Sequence, residues 1–180
     1  SSNNLPSDLY GTLKTKIGYF FSESNYQKDK RKIFSYYLNR GHMWIDVTSK
    51  AQLSKSQLTA KVRYTIIPGP LTQFGKTKIV GLQNIQESIV KKEIEYNEGK
   101  QYNAKSLTKT RANLIAKRWF QSVVLVPNPN TKKGDKFVDL VLQLKEAEPR
   151  TLSTGIGMGS EDGPRLKVSW FHRNWLKKGW

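Results

Sequence analysis

His42 and His172 are the first residues to test for chemistry in this chain of 180 residues. They stand far apart, and neither has metal-ligand spacing around it. The chain has no cysteine, which removes thiolate metal sites and disulfides together. No serine, histidine and acid fall into an order that carries a nucleophile elbow. The stretch "GIGMGS" (155–160) superficially resembles a phosphate-cradling loop. Such a loop must open a helix, and "EDGP" follows here instead. Glycine at alternate positions 155, 157 and 159 rather puts small residues on one face of a strand. Asp29, Glu93, Glu95 and Glu98 lie on or near lysine-rich helical stretches, where solvated pairing accounts for them. The residues therefore predict no enzyme, no catalytic or metal site and no cofactor.

Charge points to partners instead. Lys and Arg total 31 against 14 Asp and Glu, a net charge of +17. That balance favours anionic partners: nucleic acid, acidic lipid headgroups or an acidic protein. A basic helical stretch (Lys28, Lys30, Arg31, Lys32) with Tyr26, Tyr36, Tyr37 and Trp44 nearby keeps a nucleic-acid reading open. Two facts weigh against it. The lysines are spread along the chain, and the aromatics follow a core register described next. No apolar run approaches the roughly 20 residues of a membrane-spanning helix. No signal peptide is visible at Ser1, so a secreted parent would be processed or truncated.

A repeat organises the chain. An offset of 76 positions carries Tyr26 to Tyr102, Leu38 to Leu114, Trp44 to Phe120 and Val47 to Val123. It also carries Leu9 to Ile85, Leu13 to Ile89, Val62 to Val138, Tyr64 to Leu140 and Ile66 to Leu142. Two copies of one module follow from that register. The second copy reads β-α-α-β-β. A strand at 76–82 leads. A helix over 85–99 puts Ile85, Ile89 and Ile94 on one face, and Gly99 ends it. A second helix runs from about Ala104 to Trp119, with Leu107, Leu114 and Ile115 inward and Lys105, Lys109 and Arg111 outward. A strand at 122–128, the turn "NPNTKKGD" and a strand at 136–146 complete it, with Val138, Leu140, Leu142 and Leu144 facing in. A three-stranded sheet with two helices on one face covers every apolar face of that pattern. The first copy reads helix 7–19, helix 26–40, strand 43–52 and strand 57–67, the last alternating Leu58, Ala60, Val62, Tyr64 and Ile66. Nothing in "SSNNLP" supplies its opening strand, so the chain is expected to be cut from a longer parent at both ends.

The β-α-α-β-β modules, the junction "YTIIPGPLTQFGKTKIVGL" (64–82) and the ending "STGIGMGSEDGPRLKVSWFHRNWLKKGW" (153–180) together resemble the BamA/TamA superfamily of outer-membrane assembly factors. The ending leans to the TamA-like branch, with Lys177 standing where such turns usually carry glycine. The resemblance implies an α+β chain of tandem POTRA-like modules followed by the first hairpin of a membrane β-barrel. Its divisions are 1–70 (a module without its first strand), 74–149 (a complete module) and 150–180 (two barrel strands). A barrel strand takes about 9–11 residues to cross at a tilt. The stretches 150–159 and 164–174 are each long enough. Leu166, Val168 and Trp170 would then face lipid, and Arg165, Lys167 and Ser169 the lumen. Phe171, Trp175 and Trp180 would lie near an interfacial aromatic belt. Gly155, Gly157, Gly159, Asp162, Gly163, Pro164 and Arg165 form the hairpin motif. Leu152, Thr154, Ile156 and Met158 fall on the strand that gates the barrel in the family. The alternative is a soluble hairpin packed on the second module.

Small open sheets leave edge groups unpaired, and an extended client strand can add there by β-augmentation. The candidate edges are Ile45, Asp46 and Val47 in the first module, and Ser122, Val123, Val124, Leu125 and Val126 in the second. Implied partners are unfolded outer-membrane proteins or an inner-membrane or periplasmic protein, with outer-membrane lipid around the barrel. The implied place is the bacterial outer membrane, with the modules in the periplasm. A dedicated two-partner secretion transporter of the same superfamily fits the same residues.

Overall fold

The computed structural model describes residues 5–54, 59–147, 150–159 and 163–172. The order is α1 (Ser7–Tyr10), α2 (Glu23–Leu38), β1 (Asp46–Ser54), β2 (Thr59–Ile67), β3 (Gln73–Val80), α3 (Glu87–Lys91), α4 (Ala104–Ala116), β4 (Phe120–Pro127), β5 (Phe137–Glu146), β6 (Arg150–Gly159) and β7 (Gly163–His172). Three sheets form, ordered β1-β2, β3-β5-β4 and β6-β7. The expectation that "SSNNLP" supplies no opening strand for the first module falls mostly on residues 1–4, outside the described residues. The chain forms two compact units. One is Ser1–Lys76 with Asn97–Lys105 and Asn128–Asp139; the other is Thr77–Tyr96 with Ser106–Pro127 and Leu140–Trp180.

In the first unit, α2 starts where Ser22 adopts an extended backbone and its hydroxyl accepts from the Asn25 amide at 3.4 Å. Leu9, Leu13, Ile33, Ile45 and Val47 make the core, with Tyr64 and Ile66 packed against it. The alternation expected for β2 holds at Val62, Tyr64 and Ile66, but Ala60 is exposed and Leu58 is outside the described residues. The leading helix is one turn, not the expected 7–19. Beyond it the Thr12 hydroxyl bonds back to the Leu9 carbonyl at 2.8 Å, and the Asp29 carboxylate accepts the amides of Lys14 (2.9 Å) and Thr15 (2.7 Å). Asp29 is fully buried, so solvated pairing is the wrong account of it. Its carboxylate supplies the acceptors that a longer helix would have supplied itself.

In the second unit, Ile85, Val90, Leu114, Trp119, Phe120, Val123, Leu142 and Leu144 close one core. Val138, Leu140, Leu142 and Leu144 are buried, as their alternation requires. Each such side chain contributes about 1.5–3 kcal/mol by leaving water. The helix expected over 85–99 is only α3. The Glu93 and Ile94 amides tighten onto the carbonyls of Val90 and Lys91, and the Glu95 amide then donates to the buried Thr110 hydroxyl at 2.9 Å. Ile89 and Ile94 still pack on the core from either side of that break. Helix α4 stops at Ala116, ahead of Arg118 with φ 56, so it ends before the expected Trp119. Ile115, expected inside, is half exposed.

The paired strands refine the 76-residue register. Val47 pairs with Ile66, whereas Val123 pairs with Leu144 and not with Leu142. The second hairpin is therefore two residues longer. A shift of two keeps every side chain on its face, which is why the apolar pattern hides it. Two glycines of the junction motif carry weight. A Cβ at Gly75 would overlap the Asp139 carboxylate, which accepts the Lys76 amide at 2.8 Å. Gly81 has φ +92, and a Cβ there would overlap the Leu144 carbonyl oxygen.

Candidate functional site

Strand β4 lies at the edge of its sheet, and among the described residues no strand pairs with it on the side away from β5. Val123 and Leu125 point to the core side, whereas Val124 and Val126 are 40% and 38% exposed. Ser122 is exposed, and the ladder is irregular between Phe120 and Ser122. No charged residue occurs from Gln121 to Pro127. Edge strands are commonly protected by charge or proline. The other strands of these two sheets carry it: Lys50 in β1, Lys61 and Arg63 in β2, Lys76 and Lys78 in β3. The start of β3 is also covered, since Phe74 and Tyr102 donate their amides to the carbonyls of Lys100 and Thr72. The continuous run "VVLV" was the available signal that both faces of β4 are apolar.

In the first module β1 pairs only with β2 among the described residues. Asp46 and Val47 lie in β1, whereas Ile45 precedes it. Ile45 and Val47 are buried and Asp46 is exposed. The two candidate edges thus sit on separate sheets.

The closing strands β6 and β7 are ten residues each, with β7 starting one residue earlier than expected; residues 173 and 174 lie outside the described residues. Their register sets Leu152 opposite Trp170, Thr154 opposite Val168 and Ile156 opposite Leu166, so Thr154, Ile156 and Val168 share one face. Ile156 is 86% and Val168 59% exposed. Met158 lies opposite Pro164, Gly157 opposite Arg165, Gly155 opposite Lys167 and Gly159 opposite Gly163. Asp162, Trp175, Lys177 and Trp180 lie outside the described residues.

Two features escaped sequence reasoning. The Glu146 carboxylate clasps the 83–85 turn, accepting the amides of Gln83 (2.8 Å), Asn84 and Ile85 (both 2.9 Å). Desolvation works to raise its pKa, but the Gln83, Ile85 and Asn84 amides outweigh it and hold the carboxyl below its ordinary value. The second feature is a joint within the first unit. The Gly41 carbonyl accepts from the Thr72 amide (2.8 Å) and hydroxyl (2.7 Å), and the Arg40 carbonyl from the Gln101 side-chain amide (2.7 Å). Trp44 donates its indole N–H to the Asp135 carbonyl at 3.0 Å, and the Lys105 amide donates to Asn39 Oδ1 at 3.0 Å. Trp44, expected in the core, is therefore only half-buried and serves the joint.

Residues 72–147 match the POTRA family, described as surface antigen variable number repeat. Over 167 residues, 92% of this chain, the sequence is 25% identical to the outer membrane protein assembly factor BamA of Nitratidesulfovibrio vulgaris. The second module carries the POTRA match, and nearly the whole chain resembles BamA. It spans about a fifth (21%) of the length of that BamA. The fold is shared with BamA from Haemophilus ducreyi lacking POTRA domains 1–3, at TM-score 0.75 and 20% identity over 96% of this chain and 32% of that one. It is shared too with POTRA3–5 of Haemophilus influenzae BamA, at TM-score 0.68 and 19% identity over 77% of this chain and 55% of that one. None of these likenesses supports the lean to the TamA-like branch. The POTRA match explains the β3-β5-β4 sheet beneath α3 and α4, and the relatives are assembly factors rather than enzymes.

Proposed function

We propose that this chain is the stretch where periplasmic POTRA modules meet the barrel of an outer-membrane protein assembly or secretion factor. Its divisions are residues 1–70 and 74–149 as modules and 150–180 as the first barrel strands. The observation that carries the reading is the join itself. The last POTRA strand, β5, ends at Glu146, and two ten-residue strands begin at Arg150, with Ile156 and Val168 standing exposed on one shared face. Lipid is the solvent that such a face suits. The likeness to BamA lacking POTRA domains 1–3 reaches 96% of this chain, against 77% for POTRA3–5 alone, which fits a hairpin belonging past the modules.

Client strands add to the β4 edge at Ser122–Val126, and less readily to β1 at Asp46–Ser49, where Lys50 follows. Main-chain bonds supply affinity for many sequences, which suits unfolded outer-membrane proteins as clients. The hairpin strand carrying Leu152, Thr154, Ile156 and Met158 acts as the barrel's gate. The test is amide-shift mapping by NMR of the chain with peptides copied from C-terminal strands of outer-membrane proteins. Shifts centred on Ser122–Val126 are expected, and lost in Val124→Pro. Shifts confined to the lysine-bearing helix faces, with both edges silent, would refute the edge reading.

A further inference from the structure

The outer face of the β1-β2 sheet carries charge that the surrounding sequence never balances. From Val47 to Gln86 the chain holds six lysines and arginines and no aspartate or glutamate. Three of those cations converge. Val47, Tyr64 and Ile66 belong to the core with Ile33 of α2, so the residues that alternate with them stand on the opposite face. There the register sets Lys50 opposite Arg63 and Gln52 opposite Lys61. All four are exposed, and together they line one open cleft. Residues directly opposite on an antiparallel pair have Cβ atoms about 4.5–5.5 Å apart, where like charges repel. Asp46 is the acid on this face, but it stands about 13 Å along the strand from Lys50. Among the described residues, Lys50, Lys61 and Arg63 make no ion pair. Guarding a sheet edge explains a charge on each strand. It does not explain two charges set opposite each other.

We propose that this cleft is an anion site for a phosphate monoester or pyrophosphate group. Arg63 offers a planar fork that takes phosphate oxygens in pairs, and Lys50 and Lys61 add compact ammonium charges beside it. The Gln52 side-chain amide adds a neutral donor on the same face. A phosphate monoester carries a charge of about −1.5 to −2 at neutral pH, which answers clustered cations better than a single carboxylate does. A bound phosphate turns the repulsion between Lys50 and Arg63 into shared attraction to one group. The site does not rest on the client reading, because strand addition uses the main chain of an edge and this site uses the side chains of a face.

The test is an NMR titration of the 180-residue chain with pyrophosphate at physiological salt. Shifts should saturate and centre on Lys50, Gln52, Lys61 and Arg63. Lys50→Gln and Arg63→Gln should each weaken binding about tenfold. Arg31→Gln removes the same charge from α2 and should leave the affinity unchanged. Both cleft variants should melt at or above the wild type, since each removes one of two repelling charges. Co-sedimentation with phosphatidylcholine vesicles carrying phosphatidic acid then separates the two sources of the phosphate. Retention weakened by Arg63→Gln and not by Arg31→Gln assigns it to a lipid headgroup; retention weakened equally by both assigns a soluble phosphate. The proposal falls if the pyrophosphate shifts do not saturate, or if Arg31→Gln weakens pyrophosphate binding as much as Arg63→Gln does. It also falls if either cleft variant melts below the wild type, or if a glutamate-rich peptide binds this face more tightly than pyrophosphate.

Discussion

Replacing Gly81 by alanine separates two costs that the structure assigns to one residue. Gly81 and Gly99 both have positive φ, +92 and +78, but a Cβ at Gly99 meets nothing within 4 Å, whereas one at Gly81 overlaps the Leu144 carbonyl oxygen. Left-handed backbone costs an L-residue about 1–2 kcal/mol. Forcing an atom into packed structure adds about 1–3 kcal/mol. Gly99→Ala should thus cost only the first, and Gly81→Ala both, about 2–5 kcal/mol in all. In a chain of this size each kcal/mol moves the melting point by about 2–4 °C, so Gly81→Ala should melt about 2–12 °C below Gly99→Ala. Thermal melting followed by circular dichroism, with amide exchange at Leu140, Leu142 and Leu144 as a local probe, reads the difference. Equal melting points for the two variants, with Leu144 protected alike, would refute the close approach of β3's end to β5.

Glu146→Gln should destabilise the second unit at neutral pH by about 1–2 kcal/mol, a charge-assisted value discounted for partial exposure. Because the folded carboxyl titrates below its ordinary value, its stabilisation is full above that value and is lost as pH falls through the folded pKa; urea melts of wild type and variant should converge over that acidic range. Deleting residues 151–180 should leave both modules folded, since Val138, Leu140, Leu142 and Leu144 are already buried in the second module; loss of the second module's cooperative melt would make the hairpin part of that core. The basic surface that includes Lys28, Lys30, Arg31 and Lys32 should favour vesicles of anionic lipid over duplex DNA, compared by co-sedimentation and fluorescence titration at physiological salt; tighter, sequence-selective DNA binding would reverse that ranking.

Strands and core were legible because period-two alternation is a strong signal when one face is buried. Val138, Leu140, Leu142 and Leu144 alternate without a break and are all buried. Helix lengths were not, and the two failures share a cause. The apolar period runs on through Leu13 and through Ile94, and both pack on their cores. What ends each helix is a buried polar acceptor from the next one, Asp29 or Thr110, taking amides that would otherwise bond within the helix. A polar residue at such a position reads from sequence as a solvent-facing one. Only tertiary structure shows which backbone amide it has been recruited to satisfy.

The candidate edges show the same limit from the other side. Sequence places Ser122–Val126 and Ile45–Val47 in strands, but which strand lies at an edge is a matter of sheet order. The order β3-β5-β4 leaves β4 outermost, and segment 99–102 covers the start of β3. The charge pattern then discriminates between the edges that remain: β1 and β2 carry lysine or arginine, and β4 carries none. An uncharged edge with Val124 and Val126 exposed on its outer face is a hazard in a protein that must stay soluble alone. It is retained most economically where pairing with an incoming strand is what the edge is for. That ties the composition of one strand to the function proposed for the chain, and Val124→Lys is the substitution that should separate the two, sparing the fold and losing the client.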